Sequence, residues 1–192
     1  MRFHSLECST DGDLELVAPA ARYIDELLIS SAHPDCASEP VATWSAHNLL
    51  EFVQQSPGGI DEGNPLTGRW PAYIFWMRVD PQHRPAIPIV GTCSLRLGHD
   101  AQLRLFTGHV GYGVFPPARG HRYAERATRL MLPLARRHGY GSIWITVNPD
   151  NVHSRKTIER LGGELVEIID IPEGNPARDS GATQKCRYRV DL

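Results

Sequence analysis

The stretch from Gly108 to Leu161 constrains this chain more than any other. It reads as a strand (Gly108–Phe115), two prolines, a helix (Arg119–His138), a buried-type strand (Ser142–Val147) and a short helix (Asn151–Leu161). A strand–helix–strand order calls for a crossover that lays the two strands side by side and parallel, under helical cover. The long helix carries Ala124, Ala127, Leu130, Met131, Leu134 and Ala135 along one side, and Pro133 is expected to kink it. The short helix is closed by Gly162-Gly163, a left-handed stop.

Around this unit the pattern is that of a meander. Leu14–Val17 reads as a strand, Ala20–Ser31 as a helix ended by His33-Pro34-Asp35, and Val41–Gln55 as a second helix burying Trp44, Leu49, Leu50 and Val53. Ser56–Pro71 is rich in Gly and Pro and reads as a long loop, a length that usually serves a site. Ala72–Asp80 and Ile87–Leu97 are predicted strands joined by a Pro-rich turn, Leu103–Phe106 a further one, and Glu164–Ile171 and Lys185–Asp191 the last two. The expectation is one α/β domain over residues 1–192, with a mixed, mainly antiparallel sheet of about seven strands and helices on both faces.

Composition agrees with a folded globular chain: 41 % of the 192 residues are apolar and 22 % charged. The longest apolar runs, Ala72–Met77 and Ile87–Val90, fall far short of a membrane span, and the first residues carry no secretory pattern. Cys8, Cys36, Cys93 and Cys186 lie far apart, so reduced thiols and a cytoplasmic location are expected. His33, Cys36 and His47 match no metal-site spacing, and no metal is expected. Charge is unevenly divided: residues 1–70 hold eleven Asp/Glu and three Lys/Arg, residues 71–192 eleven and seventeen. Such a split suggests partners of opposite sign, or solvated faces that differ by chance.

Chemistry concentrates in Val110–Ala127, VGYGVFPPARGHRYAERA. The strand stops at the prolines, and Arg-Gly-His-Arg-Tyr-Ala opens the helix. Unpaired amides at a helix start, small residues (Gly120, Ala124) and cationic ones (Arg119, Arg122) make a candidate cradle for a diphosphate. Neither GxxxxGK[ST] nor a strand-to-helix GxGxxG is present. The plain alternative is a strand–turn–helix with a basic first turn. Nucleic-acid binding is a weaker reading, because the arginines are spread around the helix with no interleaved aromatics beyond Tyr123.

Gly111-Tyr112-Gly113-Val114-Phe115-Pro116 followed by Arg119-Gly120-His121-Arg122-Tyr123-Ala124 resembles the acetyl-CoA signature [QR]-x-x-G-x-[GA] of the GNAT superfamily of acyl-CoA-dependent N-acyltransferases. Asn148-Pro149-Asp150-Asn151, Ser154 and Glu159-Arg160-Leu161-Gly162-Gly163 are similar to that family's N-x-x-[AS]…[EK]-x-G-[FG] helix. The likeness covers residues 72–192 well and the first 70 loosely; the nearest branch is that of the ribosomal-protein N-terminal acetyltransferases. Two departures stand out. Arg122 occupies the place of the family's first glycine, where it either obstructs a diphosphate or points outward and pairs with a phosphate oxygen. Ile158 replaces a tyrosine that many relatives carry as general acid.

The resemblance implies two parallel strands splayed apart, Gly108–Phe115 and Ser142–Val147, with the pantetheine arm of acetyl-CoA along Gly113, Val114 and Phe115. It places the diphosphate on Arg119, Gly120, His121, Arg122, Tyr123 and Ala124, with Asn151 and Ser154 facing the arm from across; both also suit helix capping. Residues 1–71 would form the acceptor side and 72–192 the cofactor-binding core. An alkylammonium is neutral in only about one molecule in a thousand at pH 7, so a base is wanted. His109 holds the slot of the glutamate in that branch's A-E-I-G-Y; it is either this base or a structural histidine. The Val114 N–H is the implied oxyanion donor and Ser154 a proton source for the departing thiolate. Asp61 or Glu62 is a candidate contact for a cationic acceptor. The implied activity is acetyl transfer from acetyl-CoA to an amine-bearing small molecule or peptide N-terminus by direct attack. A homodimer is allowed, and no nucleic acid or membrane is implied. The alternative is a catalytically silent acyl-CoA-binding or regulatory module on the same fold.

Overall fold

The computed structural model describes residues 2–6, 9–64, 67–80, 82, 87–178 and 181–192. Cys8 and most of the expected Pro-rich turn lie outside the described residues. Alternation of aromatic and β-branched side chains produces the central ribbon, β4 (Ala72–Val79) against β5 (Ile89–Arg96), antiparallel with Ala72 opposite Arg96. On one side β4 pairs with β2 (Leu14–Val17) and, nearer its start, with β3 (Ile60–Asp61); β1 (Thr10–Asp11) continues beyond β2. On the other side β5 pairs with β6 (Val110–Val114). A second sheet has the order β7 (Ser142–Val147), β9 (Gln184–Asp191), β8 (Glu164–Asp170). Among the described residues, the seven strands of four or more residues match the expected number.

α1 (Ile24–Ser31) and α2 (Ala46–Gln55) precede the ribbon. α3 (Tyr123–Arg137) is the crossover from β6 to β7, and α4 (Val152–Arg160) follows β7. α3 turns Ala127, Met131, Leu134 and Ala135 into a core shared with Cys93, Leu95 and Val110 of the sheet. No helix among the described residues is long and apolar enough to cross a membrane.

Several expected boundaries move, each for a local reason. The second helix starts at Ala46 instead of Val41, because Ser45 and Asn48 form a reciprocal capping box; Pro40–Thr43 is a separate 3-10 turn. Leu103–Phe106 is a helical turn, not a strand: Asp100 Oδ1 accepts from the Leu103 N–H at 2.9 Å, and Gly108 (φ 78°) ends the turn. The loop Ser56–Pro71 contains β3. The long helix begins at Tyr123, not Arg119, and runs on through Pro133.

Candidate active site

β6 and β7 are neighbours without a ladder: β6 pairs with β5 and β7 with β9. They meet at one seam. The His109 N–H donates to Trp144 O at 2.7 Å, and the Trp144 N–H donates to His109 Nδ1 at 3.0 Å. Beyond that seam the two sheets part, which leaves a wedge. Its β6 wall follows from the antiparallel register. Arg96 N–H bonds His109 O and Phe115 N–H bonds Val90 O, so the groups of Tyr112 and Val114 point away from β5, into the wedge.

The seam decides what His109 does. Its ring is 2 % exposed; Nδ1 accepts from Trp144, so Nε2 carries the proton and donates to Gly98 O at 3.2 Å. Burial holds its pKa below the ordinary value, against the pull of the Gly98 and Trp144 carbonyls. A ring with both nitrogens engaged by the main chain has no face for an acceptor amine. The geometry is that of the structural histidine, and His109 holds the apex of the wedge.

At the outer rim, Phe115 leads through a 3-10 turn (Pro116–Ala118) to α3. Here the expected cradle is partly corrected. The Arg119 N–H bonds Pro116 O, and its guanidinium donates to Val114 O (3.1 Å) and Glu39 (2.6 Å), so Arg119 braces the turn. Gly120 (φ 91°) and Arg122 (φ 59°) are both left-handed, and Arg122 is the single non-glycine residue of that kind among those described. Arg122, at the place of the motif's first glycine, holds a conformation that glycine reaches without penalty, at a cost of roughly 1 kcal/mol. No side chain caps the start of α3, and nothing stands within 4 Å of a Cβ placed on Gly120. The side chain of Tyr123 is committed elsewhere. Its hydroxyl donates to Asp13 at 3.1 Å, and burial with that carboxylate pushes its pKa up to about 12. His121 stacks on the Tyr123 ring at 5.7 Å.

Across the wedge stands α4. Asn151 Oδ1 accepts from the Ser154 N–H at 3.1 Å, an N-cap. Tyr112 spans the gap, its hydroxyl donating to Ser154 O at 3.3 Å. Burial raises the Tyr112 pKa, outweighing the Ser154 side chain, which lowers it.

On the opposite face of the first sheet, α2 roofs a cleft of about 710 Å³. Trp44 and Phe52 line it from above, and Trp76, Thr92, Ser94 and Arg96 from the sheet. Gly111 and Gly113 carry no side chains there, which leaves the β6 backbone open to the cleft. Neither Asp61 nor Glu62 lines it. Asp61 accepts from Arg69 at 3.0 Å and from the Gly63 N–H at 2.8 Å. Arg96 and Tyr112 are the residues that motif reading passed over. The signal for Arg96 lay in Ile87–Leu97, where Thr92, Ser94 and Arg96 alternate with Cys93, Leu95 and Leu97: a polar face within a buried strand.

Comparison with known proteins fits this architecture. The acetyltransferase (GNAT) domain family matches residues 14–164. Among solved structures, the microcin self-immunity acetyltransferase MccE, in complex with acetyl-CoA and AMP, has a TM-score of 0.67 at 18 % identity, covering 98 % of this chain and 99 % of that one. RimL, a ribosomal-protein alpha-N-acetyltransferase in complex with coenzyme A, gives 0.61 at 15 % identity over 95 % and 96 %. A ribosomal-protein alanine acetyltransferase from Vibrio fischeri gives 0.60 at 16 % identity over 95 % and 94 %. Comparison with curated proteins returned no significant match. With the family matched across most of its length and the fold shared from end to end, this chain belongs to the GNAT acetyltransferase family.

Proposed function

We propose that the protein is an N-acetyltransferase that moves an acetyl group from acetyl-CoA to an amine by direct attack in a ternary complex. The observation that carries this reading is the wedge between β6 and β7, with main-chain groups of Tyr112 and Val114 facing in and an uncapped, sterically open helix start at its mouth. Those features fit the cofactor. An extended pantetheine arm needs amide partners along one wall, and a diphosphate needs N–H groups with free space before them. MccE and RimL, of the same fold, are described with acetyl-CoA and coenzyme A.

When bound, acetyl-CoA supplies an acyl group on a good leaving thiolate. The main-chain groups of Tyr112 and Val114 hold the arm; of the three residues expected there only Val114 faces it, because the register turns the groups of Gly113 toward β5 and gives the Phe115 N–H to Val90 O. The main-chain N–H groups from Gly120 to Ala124 hold the diphosphate, with the exposed Arg122 side chain adding charge. Asn151 uses the carbonyl half of its amide as the α4 cap; we assign its NH₂ half to the arm. The Val114 N–H stabilises negative charge developing on the acyl oxygen, a donor typically worth about 2.7–4 kcal/mol. The hydroxyls of Ser154 and Tyr112, on the α4 side, serve the departing sulfur. Residues 1–71 provide the roof of the acceptor cleft through α2, and residues 72–192 the cofactor-binding core.

No Asp, Glu or His is among the described residues that line the cleft. The acceptor therefore gives its proton to water. A desolvated ammonium beside the Arg96 guanidinium loses it more readily than in bulk solvent. Turnover at subsaturating acceptor then rises with pH toward the acceptor's own pKa, with no plateau near the histidine range.

The test is direct. Acetyl-CoA should raise the melting temperature where NAD and an oligonucleotide do not, and thiol should be released from acetyl-CoA with an amine panel. Failure to bind CoA would overturn the reading. The same lack of a side-chain base supports a second reading, a silent acyl-CoA-binding module; binding without thiol release across the panel would establish that one instead.

A further inference from the structure

Arg96 is the cation of the acceptor cleft, and the described residues offer it no counter-charge. Its one hydrogen bond among the described residues runs from Nη1 to Gly108 O at 3.3 Å. No carboxylate among the described residues pairs with it, and no Asp or Glu is among the described residues that line the cleft. Asp61 lies two strands away on the same face, since Asp61 and Arg96 both pair with Ala72, but it is held by Arg69. Burial alone accounts for a downward shift of the Arg96 pKa. A guanidinium has five N–H donors in a planar fork that matches a carboxylate or phosphate, and leaving most of them unmatched in a partly desolvated site is unfavourable.

Its position ties it to the reacting end of the cleft. The guanidinium lies against β6 at Gly111, where an added Cβ would come within 2.9 Å of Nη2 and 3.1 Å of Nη1. Gly111 and Gly113 face Ser94 and Thr92 across the ladder and open the β6 backbone on this side. The rest of the wall is aromatic, from Trp44, Phe52 and Trp76, and the volume of about 710 Å³ suits a small molecule with an apolar body.

We propose that Arg96 receives a carboxylate or phosphate of the acceptor, so that the protein acts on small amines carrying both an oxyanion and an apolar or aromatic body. The inference rests on the acetyl-transfer reading and narrows its substrate class. It also reverses the expectation that the acid-rich first half would draw in a cationic acceptor.

The experiment uses matched pairs: amino acids against their amides for the carboxylate, and arylalkylamine phosphate esters against the parent amines for the phosphate. Each pair is measured on the wild type, R96Q, R96K and G111A. The readouts are kcat/KM by thiol release and, independently of turnover, dissociation constants by calorimetry with CoA present. The wild type should favour the anionic member of one series by about tenfold to a hundredfold, the range of a charge-assisted hydrogen bond. R96Q should erase that ratio, and R96K should keep part of it. G111A should shrink it by displacing the guanidinium while retaining the charge. Unchanged CoA affinity and melting temperature in R96K and G111A keep the test valid where R96Q folds poorly. A wild type indifferent to the anion would overturn the proposal, as would an R96Q that keeps the preference, or spermidine or a neutral peptide N-terminus as best ligand. Absence of thiol release with intact binding ratios would count against acetyl transfer and still support the role of Arg96.

Discussion

Two arginines stand at opposite ends of the β4–β5 ribbon, and the fold treats them differently. Arg78, near the end of β4, donates from Nε to Glu26 at 2.7 Å and from Nη1 to Glu15 at 3.5 Å. Arg96, at the end of β5, has a single carbonyl. Arg78 is the commoner pattern. Arg126 takes Asp11 and Asp13, and Arg119 takes Glu39. In each case the carboxylate comes from the acid-rich first 70 residues and the arginine from the remainder. Part of the uneven charge along the chain is thus settled inside the molecule, as contacts that fasten the first part to the core. Arg96 stands outside that arrangement, and it lies in the cleft.

This contrast can be broken by giving both sites the same substitution. Arg78→Met strands two half-buried carboxylates and should cost about 2 kcal/mol, less than the loss from a fully buried pair because water still reaches the site. Arg96→Met removes a poorly compensated charge and substitutes an apolar side chain against an aromatic wall. It should leave stability unchanged or raise it by about 1 kcal/mol, the trade expected where a functional group is held against its own solvation. Urea melts of both variants check the signs. A loss at Arg96 as large as at Arg78 would mean that Arg96 is a structural residue.

How far the sequence reveals such differences depends on the range of the interaction. The ribbon, β7, α4 and its Asn151 cap were legible because alternation, capping residues and the Gly162 stop are local signals. The wedge was legible through the family motifs, which tie a strand to the helix after it. Partnerships across the chain were not. Nothing near His109 announces that its Nδ1 will accept from an amide 35 residues away, nor anything near Arg119 that Glu39 will claim it. Leu103–Phe106 misled because its apolar spacing suits a strand, whereas the Asp100 cap that winds it into a turn lies outside the apolar run.

His109 shows a third way of handling a buried polar group: neutrality enforced by burial, with both ring nitrogens bonded to the main chain. Burial lowers its pKa in the folded chain, while the unfolded chain keeps the ordinary value of about 6.5. Below that pH the unfolded state binds more protons, so stability falls as the pH drops from about 6.5 toward the folded value. Above it the ring contributes no pH dependence. His138 is shifted in the same direction, by burial and by His4, and adds to the slope. Asp13 acts in a separate window. Burial raises its pKa, but the bonds from Arg126 and Tyr123 prevail and hold it below the ordinary carboxylate value, so its contribution is lost only as the pH falls below about 4. His109→Gln keeps a donor and an acceptor but cannot be protonated. It should flatten the fall of stability that begins below about pH 6.5 while leaving the lower window intact. A slope unchanged by the substitution would place the acid sensitivity elsewhere.

The smallest expected effect concerns a charge that is exposed and held on a costly backbone. Arg122 adopts φ 59°, ψ 23° at the start of α3, a conformation that glycine reaches without penalty. Arg122→Gly should therefore relieve roughly 1 kcal/mol of strain, reduced by the extra freedom glycine has when unfolded, for a net gain of a few tenths. Against that gain stands the side chain's contribution to the diphosphate. If it pairs with a phosphate oxygen, the glycine variant is more stable without ligand and binds CoA several-fold more weakly, with a shallower salt dependence than the wild type. If the side chain obstructs the site, the same variant is again more stable but binds CoA more tightly. Calorimetry at two ionic strengths separates the two outcomes. The sign of the affinity change tells whether this chain keeps arginine at a glycine position for the sake of its ligand.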